Sequence, residues 1–518
     1  MSNIQLLWAD DEIEYLKPHL LFLEQKGYIV KTVTNGLDAV EAVKNNFFDL
    51  VFLDENMPGG SGLEALKQIK EFKADLPVVM ITKSEEEHIM EDAIGSKIED
   101  YLIKPVNPNQ ILLCIKRILD NKRLVKESVT KGYQQDFRNI SMALFENPNF
   151  EEWKSLYKKL IYWETELVHS SDTGMDEVIH TQKIDANREF AKFIEKNYFN
   201  FLPYDSPTAP IMSHTLFRKA VLPLFEQQKP VFFLLIDNLR FDQWRVLAPI
   251  INEFFRTESE DLYLSILPTT TQYCRNSLFS GLLPSDIEKR FPDKWSNDED
   301  EGGKNLYEED FIKDLMGRLR KSDLKTSYNK ILNADQGKSL VDNVHNLFDN
   351  DLNVIVYNFV DSLSHARTDS KIVRELAEDE AAYRSLTKSW FEHSPLLDAI
   401  KRIAEKDVTL VITTDHGSVR VQNPIKIVGD KNTTTNLRYK TGKNLSFNSK
   451  DAMFIKDPVK AFLPTQHFTS SFAIARENDF FVYPNNLNHY AKYYKDTFQH
   501  GGISIEEMLI PLIILKSK

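Results

Sequence analysis

A chain of 518 residues is too long for one hydrophobic core and sets an expectation of roughly three or four folded units. With 42% hydrophobic and 27% charged residues the composition is globular and excludes disorder as the governing state, while a net charge of −13 argues against direct binding to duplex DNA. Two cysteines, Cys114 and Cys274, lie far apart and make no disulfide or metal framework; no signal peptide opens the chain and no apolar run reaches membrane-spanning length, so a cytoplasmic protein with no membrane contact is expected.

From residue 4 to about 120, short apolar runs alternate with amphipathic stretches: IQLLWAD, YIVKTVT, FDLVFLD, LPVVMIT and EDYLIKP, with GLEALKQIKEF between two of them. Five such units predict a doubly wound parallel sheet, with ligands beyond the carboxyl ends of its strands. Asp10 and Asp11 end the first strand and Asp54 the third, a carboxylate cluster suited to a divalent cation. Residues 123–205 change character. NFEEWKSLYKKLIYWETELV places Trp153, Leu156, Tyr157, Leu160, Ile161 and Leu167 at helical spacing, predicting a helical bundle with these side chains as its core. SDTGMD (171–176) reads as a loop and LPYDSPTAP (202–210) as a linker.

From 206 to 518 a second, larger α/β domain is expected, with PVFFLLID, DLYLSILPT, DLNVIVYNFVD, DVTLVITTD and DFFVYP as strands. SNDEDEGGKN (296–305) reads as a solvated insertion, and KNTTTNLRYKTGK (431–443) offers Arg438, Lys440 and Lys443 to an anionic substrate or to solvent. Three Asp residues follow apolar runs, at Asp237, Asp361 and Asp415.

With Asp10, Asp11, Asp54, Thr82 and Lys104 at strand ends, residues 1–122 resemble a two-component receiver domain of flavodoxin-like fold. The resemblance implies that Asp54 accepts phosphate from a sensor histidine kinase. It also implies that Mg²⁺ is held by Asp11, Asp54 and the Asn56 carbonyl with Asp10 close by, and that Thr82 and Lys104 bind phosphoryl oxygens. Tyr101 matches the family's switch aromatic, with an ordinary core tyrosine as the other reading, and Lys104-Pro105 is a place for a cis bond.

The phrases P-T-T-T (268–271), D-S-L-S-H (361–365) and D-H-G (415–417), in this order, resemble the alkaline phosphatase superfamily, its nucleotide pyrophosphatase/phosphodiesterase branch, and within it the PglZ subgroup. The resemblance implies two Zn²⁺ ions, one held by Asp361, His365 and His500 and the other by Asp237, Asp415 and His416, with Thr271 as nucleophile and ligand. Charge counting agrees, because three carboxylates and an alkoxide balance two divalent cations; Mn²⁺ is the alternative metal. Thr269 is the alternative nucleophile. Arg275, one turn beyond Thr271, either contacts a phosphoryl oxygen or is an ordinary surface or ion-paired arginine. No third-metal constellation of the monoesterase kind is visible, which points to a nucleotide or oligonucleotide diester. The order receiver, helical bundle, PglZ domain resembles the PorX type of response regulator associated with type IX secretion. That resemblance implies a phosphorylation-dependent homodimer and a sigma factor as a downstream partner. A non-catalytic, zinc-stabilised signalling module and a phosphomonoesterase stand as alternatives.

Overall fold

The computed structural model describes residues 4–83, 98–170, 173–298, 300, 302–430, 433–465, 469–485 and 487–518. The chain divides into two compact units, Met1–Gln135 and Asp136–Lys518.

In the N-terminal unit, strands β1 (Gln5–Ala9), β2 (Ile29–Val33), β3 (Leu50–Asp54), β4 (Val78–Thr82) and β5 (Asp100–Ile103) form a sheet of order β2-β1-β3-β4-β5, parallel throughout. Alternate side chains of each strand enter opposite cores. Leu7, Ala9, Val51 and Leu53 pack with residues of helices α2 (Gly36–Asn45) and α3 (Gly62–Phe72). Leu6, Trp8, Leu50 and Phe52 pack on the other face with Leu23 of helix α1 (Lys17–Gln25) and with Ile111 and Ile115. Asn35 caps α2 by accepting from the Asp38 amide, and Ser61 with Glu64 closes a capping box on α3. Gly62 starts α3 so close to β3 that a Cβ there would lie 2.3 Å from the Asp54 carbonyl oxygen, and this approach fixes the loop after the carboxylate. The architecture is the doubly wound sheet expected from the alternation of runs.

Helix α4 (Pro108–Phe145) is continuous through the position expected as a domain boundary near residue 122. It is followed by α5 (Phe150–Ser170) and α6 (Thr173–Phe201), which belong to the same compact unit as everything C-terminal to them. Trp153, Leu156, Tyr157, Leu160, Ile161 and Leu167 are all buried. The loop expected at 171–176 is only partly within the described residues, and from Thr173 onward it is helix. The 202–210 stretch, expected as a linker, is tied down: the Tyr204 hydroxyl donates to Asp286 Oδ2 (2.8 Å) and accepts from the Leu283 amide (2.9 Å).

The larger sheet contains β6 (Val231–Ile236), β7 (Phe255–Leu264), β8 (Thr326–Ile331), β9 (Leu352–Tyr357), β10 (Thr409–Thr413) and β11 (Leu509–Ser517), in the order β7-β11-β10-β6-β9-β8, with helix α7 (Phe241–Ile251) following β6. The four strands β10, β6, β9 and β8 run parallel, and β11 is antiparallel to both its neighbours. One expectation changes here. DFFVYP does not join this sheet; Asp479–Val482 pairs with Asn423–Lys426 in a separate ladder. The apolar C-terminal run, too short to cross a membrane, is instead an inner strand, buried because it has a partner on each side. Among the described residues no helix is long and apolar enough to cross a membrane.

Candidate metal centre

The parallel strands β6, β9 and β10 are adjacent, so their carboxyl ends share one edge of the sheet, and each delivers one carboxylate there. Asp237 follows β6 directly, Asp415 lies two residues beyond β10, and Asp361 sits in the first turn of helix α9 (Phe359–Asp369), two residues after β9. His365 is one turn further along α9, on the same face as Asp361. His416 and Gly417 continue from Asp415. Gly417 donates its amide to the Glu507 carbonyl (3.1 Å), and a Cβ at this position would lie 2.0 Å from the Glu506 carbonyl oxygen. Only glycine lets the D-H-G turn close against this segment.

These residues form two trios whose ligand atoms lie within 4.8 Å of one another: Asp361, His365 and His500, and Asp237, Asp415 and His416. The His416 and His500 rings connect the trios, stacked at 20° with centroids 4.3 Å apart. Both imidazoles are oriented by backbone carbonyls. His416 Nδ1 lies 3.1 Å from Gly417 O and His500 Nδ1 3.3 Å from Thr269 O. A carbonyl can only accept, so Nδ1 carries the proton in each and Nε2 presents its lone pair to the centre, which is how ligating histidines are held. His500 Nε2 is 3.7 Å from Asp361 Oδ1, and His416 Nε2 is 3.8 Å from Asp237 Oδ1. Asp237 Oδ1 is buried without a hydrogen-bond partner. A cation is the group that a buried, unbonded carboxylate oxygen facing imidazole lone pairs requires.

The three threonines of P-T-T-T differ in what holds them. Thr269 Oγ1 donates to Gly502 O (2.9 Å) and accepts from the Gly501 amide (3.0 Å). Thr270 is the N-cap residue of helix α8 (Thr271–Ser280), and Thr271, its first residue, has Oγ1 3.1 Å from His416 Nε2. Thr271 is therefore the hydroxyl brought to the trios, and Thr269 faces away into the H-G-G loop.

Arg275 does not reach toward a substrate. It is fully buried one turn along α8, ion-paired with Asp237 Oδ2, with Asp415 Oδ2 at 2.9 Å and with Glu308 Oε1 at 3.5 Å. Burial raises the Asp237 pKa well above the ordinary carboxylate range, with Arg275 pulling against it. For Asp415 burial pushes the same way, but Arg275 and His416 prevail and bring it down to about 2. One guanidinium shared by two carboxylates cannot balance both charges, and a cation beside Asp237 would supply the remainder. Arg438 and Lys440 also depart from their expected surface role. Arg438 is buried against Glu507 (2.6 Å), which in turn accepts from the Gly502 amide (2.8 Å) and braces the loop carrying His500. Lys440 is buried, donates to Thr434 O (2.8 Å) over the Tyr483 ring, and burial lowers its pKa to about 7. Of Arg438, Lys440 and Lys443, only Lys443 is partly exposed.

Asn305 and Asp298 were not foreseen as neighbours of the centre. Asn305 Nδ2 donates to Thr271 O (3.1 Å) and Asn276 Oδ1 (3.0 Å), and Asp298 accepts from the Tyr273 and Tyr439 hydroxyls, both at 2.6 Å. Ser296, Asp298, Lys304 and Asn305 thus contact α8, while Asp300, Gly302 and Gly303 between them are exposed, as expected of a solvated insertion. Polar residues are the only signal the 296–305 tract shows in sequence, and they read as exposure until a partner is known.

In the N-terminal unit Asp10, Asp11 and Asp54 form a third trio within the same 4.8 Å limit. Asp10 and Asp54 are buried and Asp11 is exposed. Lys104 Nζ, just beyond β5, lies 2.9 Å from Asp10 Oδ2 and 3.0 Å from Asp54 Oδ1, and the Lys104-Pro105 peptide bond is cis. Burial raises the Asp54 pKa against the pull of Lys104, and the Asp10 and Asp11 charges add to the rise. Three carboxylates facing one ammonium leave two negative charges, the requirement of a divalent cation. Thr82 ends β4, buried. Tyr101 is half-buried in β5 against the core, and Asn56 is exposed in the loop after Asp54.

Three family models match successive stretches of the chain. The family model for the response regulator receiver domain matches residues 6–116, that for the PorX response regulator linker domain residues 123–202, and that for the BREX system PglZ alkaline phosphatase-like domain residues 216–515. Curated relatives include the transcriptional regulatory protein ZraR of Klebsiella oxytoca, 34% identical over 130 residues (25% of this chain, 29% of that protein). Another is ResD of Bacillus subtilis, 32% identical over 118 residues (23% and 49%). The chain spans about half or less of the length of these relatives. A CheY-like receiver domain protein from Methanospirillum hungatei JF-1 is similar at 27% identity over 23% of this chain and 96% of that one, with a TM-score of 0.23. The chain belongs to the PglZ family of alkaline phosphatase-like domains, here preceded by a response regulator receiver domain and a PorX-type linker domain.

Proposed function

We propose that the C-terminal domain is a zinc-dependent phosphodiesterase that cleaves nucleotide or oligonucleotide diesters through Thr271, under the control of phosphorylation at Asp54. The observation that carries the catalytic reading is Thr271 Oγ1, 3.1 Å from His416 Nε2 at the junction of two metal-ligand trios. Asp361, His365 and His500 would hold one ion, and Asp237, Asp415 and His416 the other. Two bound divalent cations supply charge neutralisation, a lowered hydroxyl pKa and stabilisation of the leaving oxygen. Thr271 Oγ forms the new bond to phosphorus as the ester oxygen departs with its electron pair. Water then cleaves the phospho-threonine and restores the hydroxyl, so configuration at phosphorus is retained. The start of α8 directs its peptide N–H groups at the same place and favours an anion there. The diester preference is supported by the ligand inventory: among the described residues the PglZ domain shows these two trios and no third. Arg275, which could have met a dianion, is engaged with Asp237 and Asp415.

Removal of metal has a readout independent of turnover. Dialysis against a chelator is expected to abolish hydrolysis of bis-p-nitrophenyl phosphate. It is also expected to lower the melting temperature of the C-terminal unit by about 5 °C, both restored by Zn²⁺ or, in part, Mn²⁺. Unchanged melting and turnover would contradict the centre.

The receiver trio supports a second reading of phosphate on the same chain, as a signal: Mg²⁺ at Asp10, Asp11, Asp54 and the Asn56 carbonyl, Thr82 and Lys104 on the phosphoryl group, and Tyr101 responding to it. A sensor histidine kinase would be the donor, and a phosphorylation-dependent homodimer and a sigma factor in type IX secretion control are the consequences the PorX-type order supports. Asp54→Asn is expected to abolish Mg²⁺-dependent labelling by acetyl phosphate, measured on a phosphate-affinity gel, without changing the chain's diester hydrolysis in the absence of phosphodonor. Persistent labelling would place the phosphate elsewhere. A specific observation favours one rival: the Arg275 guanidinium lies where it partly replaces a cation between Asp237 and Asp415. That arrangement suits a metal-free form of the non-catalytic signalling module, distinct from the zinc-stabilised one, and the chelation experiment separates it from the metal enzyme.

A further inference from the structure

Behind the metal trios lies a buried charge cluster that catalysis as described does not use. Lys183 Nζ, on α6, is 2.9 Å from Glu164 Oε2 on α5, 2.7 Å from Glu380 Oε2 at the start of helix α10 (Glu380–Glu392), and 3.6 Å from Glu506 Oε1. Glu380 is 3.7 Å from Arg240 Nη1, and Arg240 donates from Nε to Asp242 Oδ1 (2.8 Å). Arg384 closes the ring between Glu164 (2.7 Å) and Asp242 (3.1 Å). Three cations thus meet four carboxylates, and nearly all of these groups are shielded from water. Buried charges are costly to desolvate and gain little over a packed apolar core, so stability alone is a poor reason for the cluster. Removing a single partner leaves its counter-charges stranded, which makes the cluster a stiff connector.

The connector leads to the ligands by two routes. Arg240, three residues after Asp237, lays its guanidinium over the Phe498 ring at 5.0 Å, and Arg367 of α9 covers the same ring at 4.9 Å. Tyr383 of α10 stacks on it at 4.2 Å and 17°. Ser364, next to His365, donates to the Phe498 carbonyl at 3.1 Å. Phe498 is two residues before His500, and Phe498–Gln499 pairs with Val419–Arg420, three residues after His416. The second route starts one turn along α6. Asn187 donates to Glu506 Oε2 (2.9 Å) and accepts from the Ile505 amide (2.7 Å), holding the segment on which Gly417 of D-H-G closes.

We infer that Lys183 and Asn187 are positioning residues of the metal centre, through which helix α6 of the linker domain sets the placement of His500 and His416. The inference rests on the metal-centre reading above and goes beyond it by naming the linker helix as the part whose displacement would loosen or tighten the site. Outer groups that orient ligating histidines affect metal affinity about 10- to 100-fold; here the same effect is assigned to residues that touch no ligand.

The test uses the full chain, with Zn²⁺ affinity from competition against a chromophoric chelator and kcat and KM for bis-p-nitrophenyl phosphate at saturating Zn²⁺. Lys183→Met is expected to weaken binding of at least one ion by about tenfold or more and to lower kcat by a similar factor with KM within about threefold, while Lys183→Arg keeps both near wild type. Asn187→Ala, which strands no charge, is expected to shift affinity in the same direction and serves if Lys183→Met does not fold. Ile400→Val, at a buried position of helix Pro395–Ile403 outside both routes, is the stability control: it lowers the melting temperature and leaves affinity and kcat unchanged. Wild-type affinity and kcat in both Lys183→Met and Asn187→Ala, or an equal loss in Ile400→Val, overturns the inference. A wild-type chain that binds no metal overturns the metal-centre reading together with it, whereas tight wild-type binding with unaffected variants overturns the positioning role alone.

Discussion

Thr271→Val is expected to reduce hydrolysis of bis-p-nitrophenyl phosphate by about 10³-fold or more while both metal ions remain bound. Valine keeps the β-branch and nearly the volume of threonine, so the start of α8 retains its packing and only the hydroxyl facing His416 at 3.1 Å is lost. The paired substitution Thr269→Val gives the contrast. It breaks the hydrogen bonds to Gly502 O and the Gly501 amide, so it should loosen the His500 loop and lower metal affinity, yet leave a nucleophile in place. Turnover by Thr271→Val at the wild-type rate would assign the attacking group elsewhere.

Arg275→Met is expected to destabilise the metal-free chain by about 3–5 kcal/mol, because it leaves Asp237, Asp415 and Glu308 buried around a lost positive charge. The same substitution should cost much less once divalent cations are bound, since the carboxylates then have other positive partners. Urea unfolding with chelator and with Zn²⁺ measures the difference. Equal destabilisation in both conditions would show that Arg275 serves packing and not the charge balance of the centre.

The parts of the fold that were legible in sequence are those where burial is written as composition. VFFLLI, LNVIVY and TLVIT are continuous apolar runs because strands covered on both faces exclude water from every side chain, and an Asp following such a run is conspicuous. The three carboxylates of the trios are legible for this reason and because parallel neighbours bring their carboxyl ends to one edge. The edge strand Thr326–Ile331 was not, since TSYNKI is half-buried and mostly polar, and the C-terminal run could be identified as an inner strand only once its two partners were known. Charged side chains were the least legible. Nothing in the sequence singles out Lys183 or Glu380, and Arg275 and Arg438 stayed open between a substrate contact and an ordinary surface or ion-paired role, because burial of a charge depends on counter-charges tens to hundreds of positions away. The choice between Thr269 and Thr271 likewise depended on which hydroxyl the H-G-G loop had already engaged.

The measurement that tests the central claim most directly is a titration of Zn²⁺ into the chelator-treated full chain, with bis-p-nitrophenyl phosphate and p-nitrophenyl phosphate hydrolysis followed in parallel. Diester hydrolysis is expected to rise with metal content until the two trios are filled, with the monoester a much poorer substrate. A chain that takes up the metal yet hydrolyses no diester at any loading would contradict it.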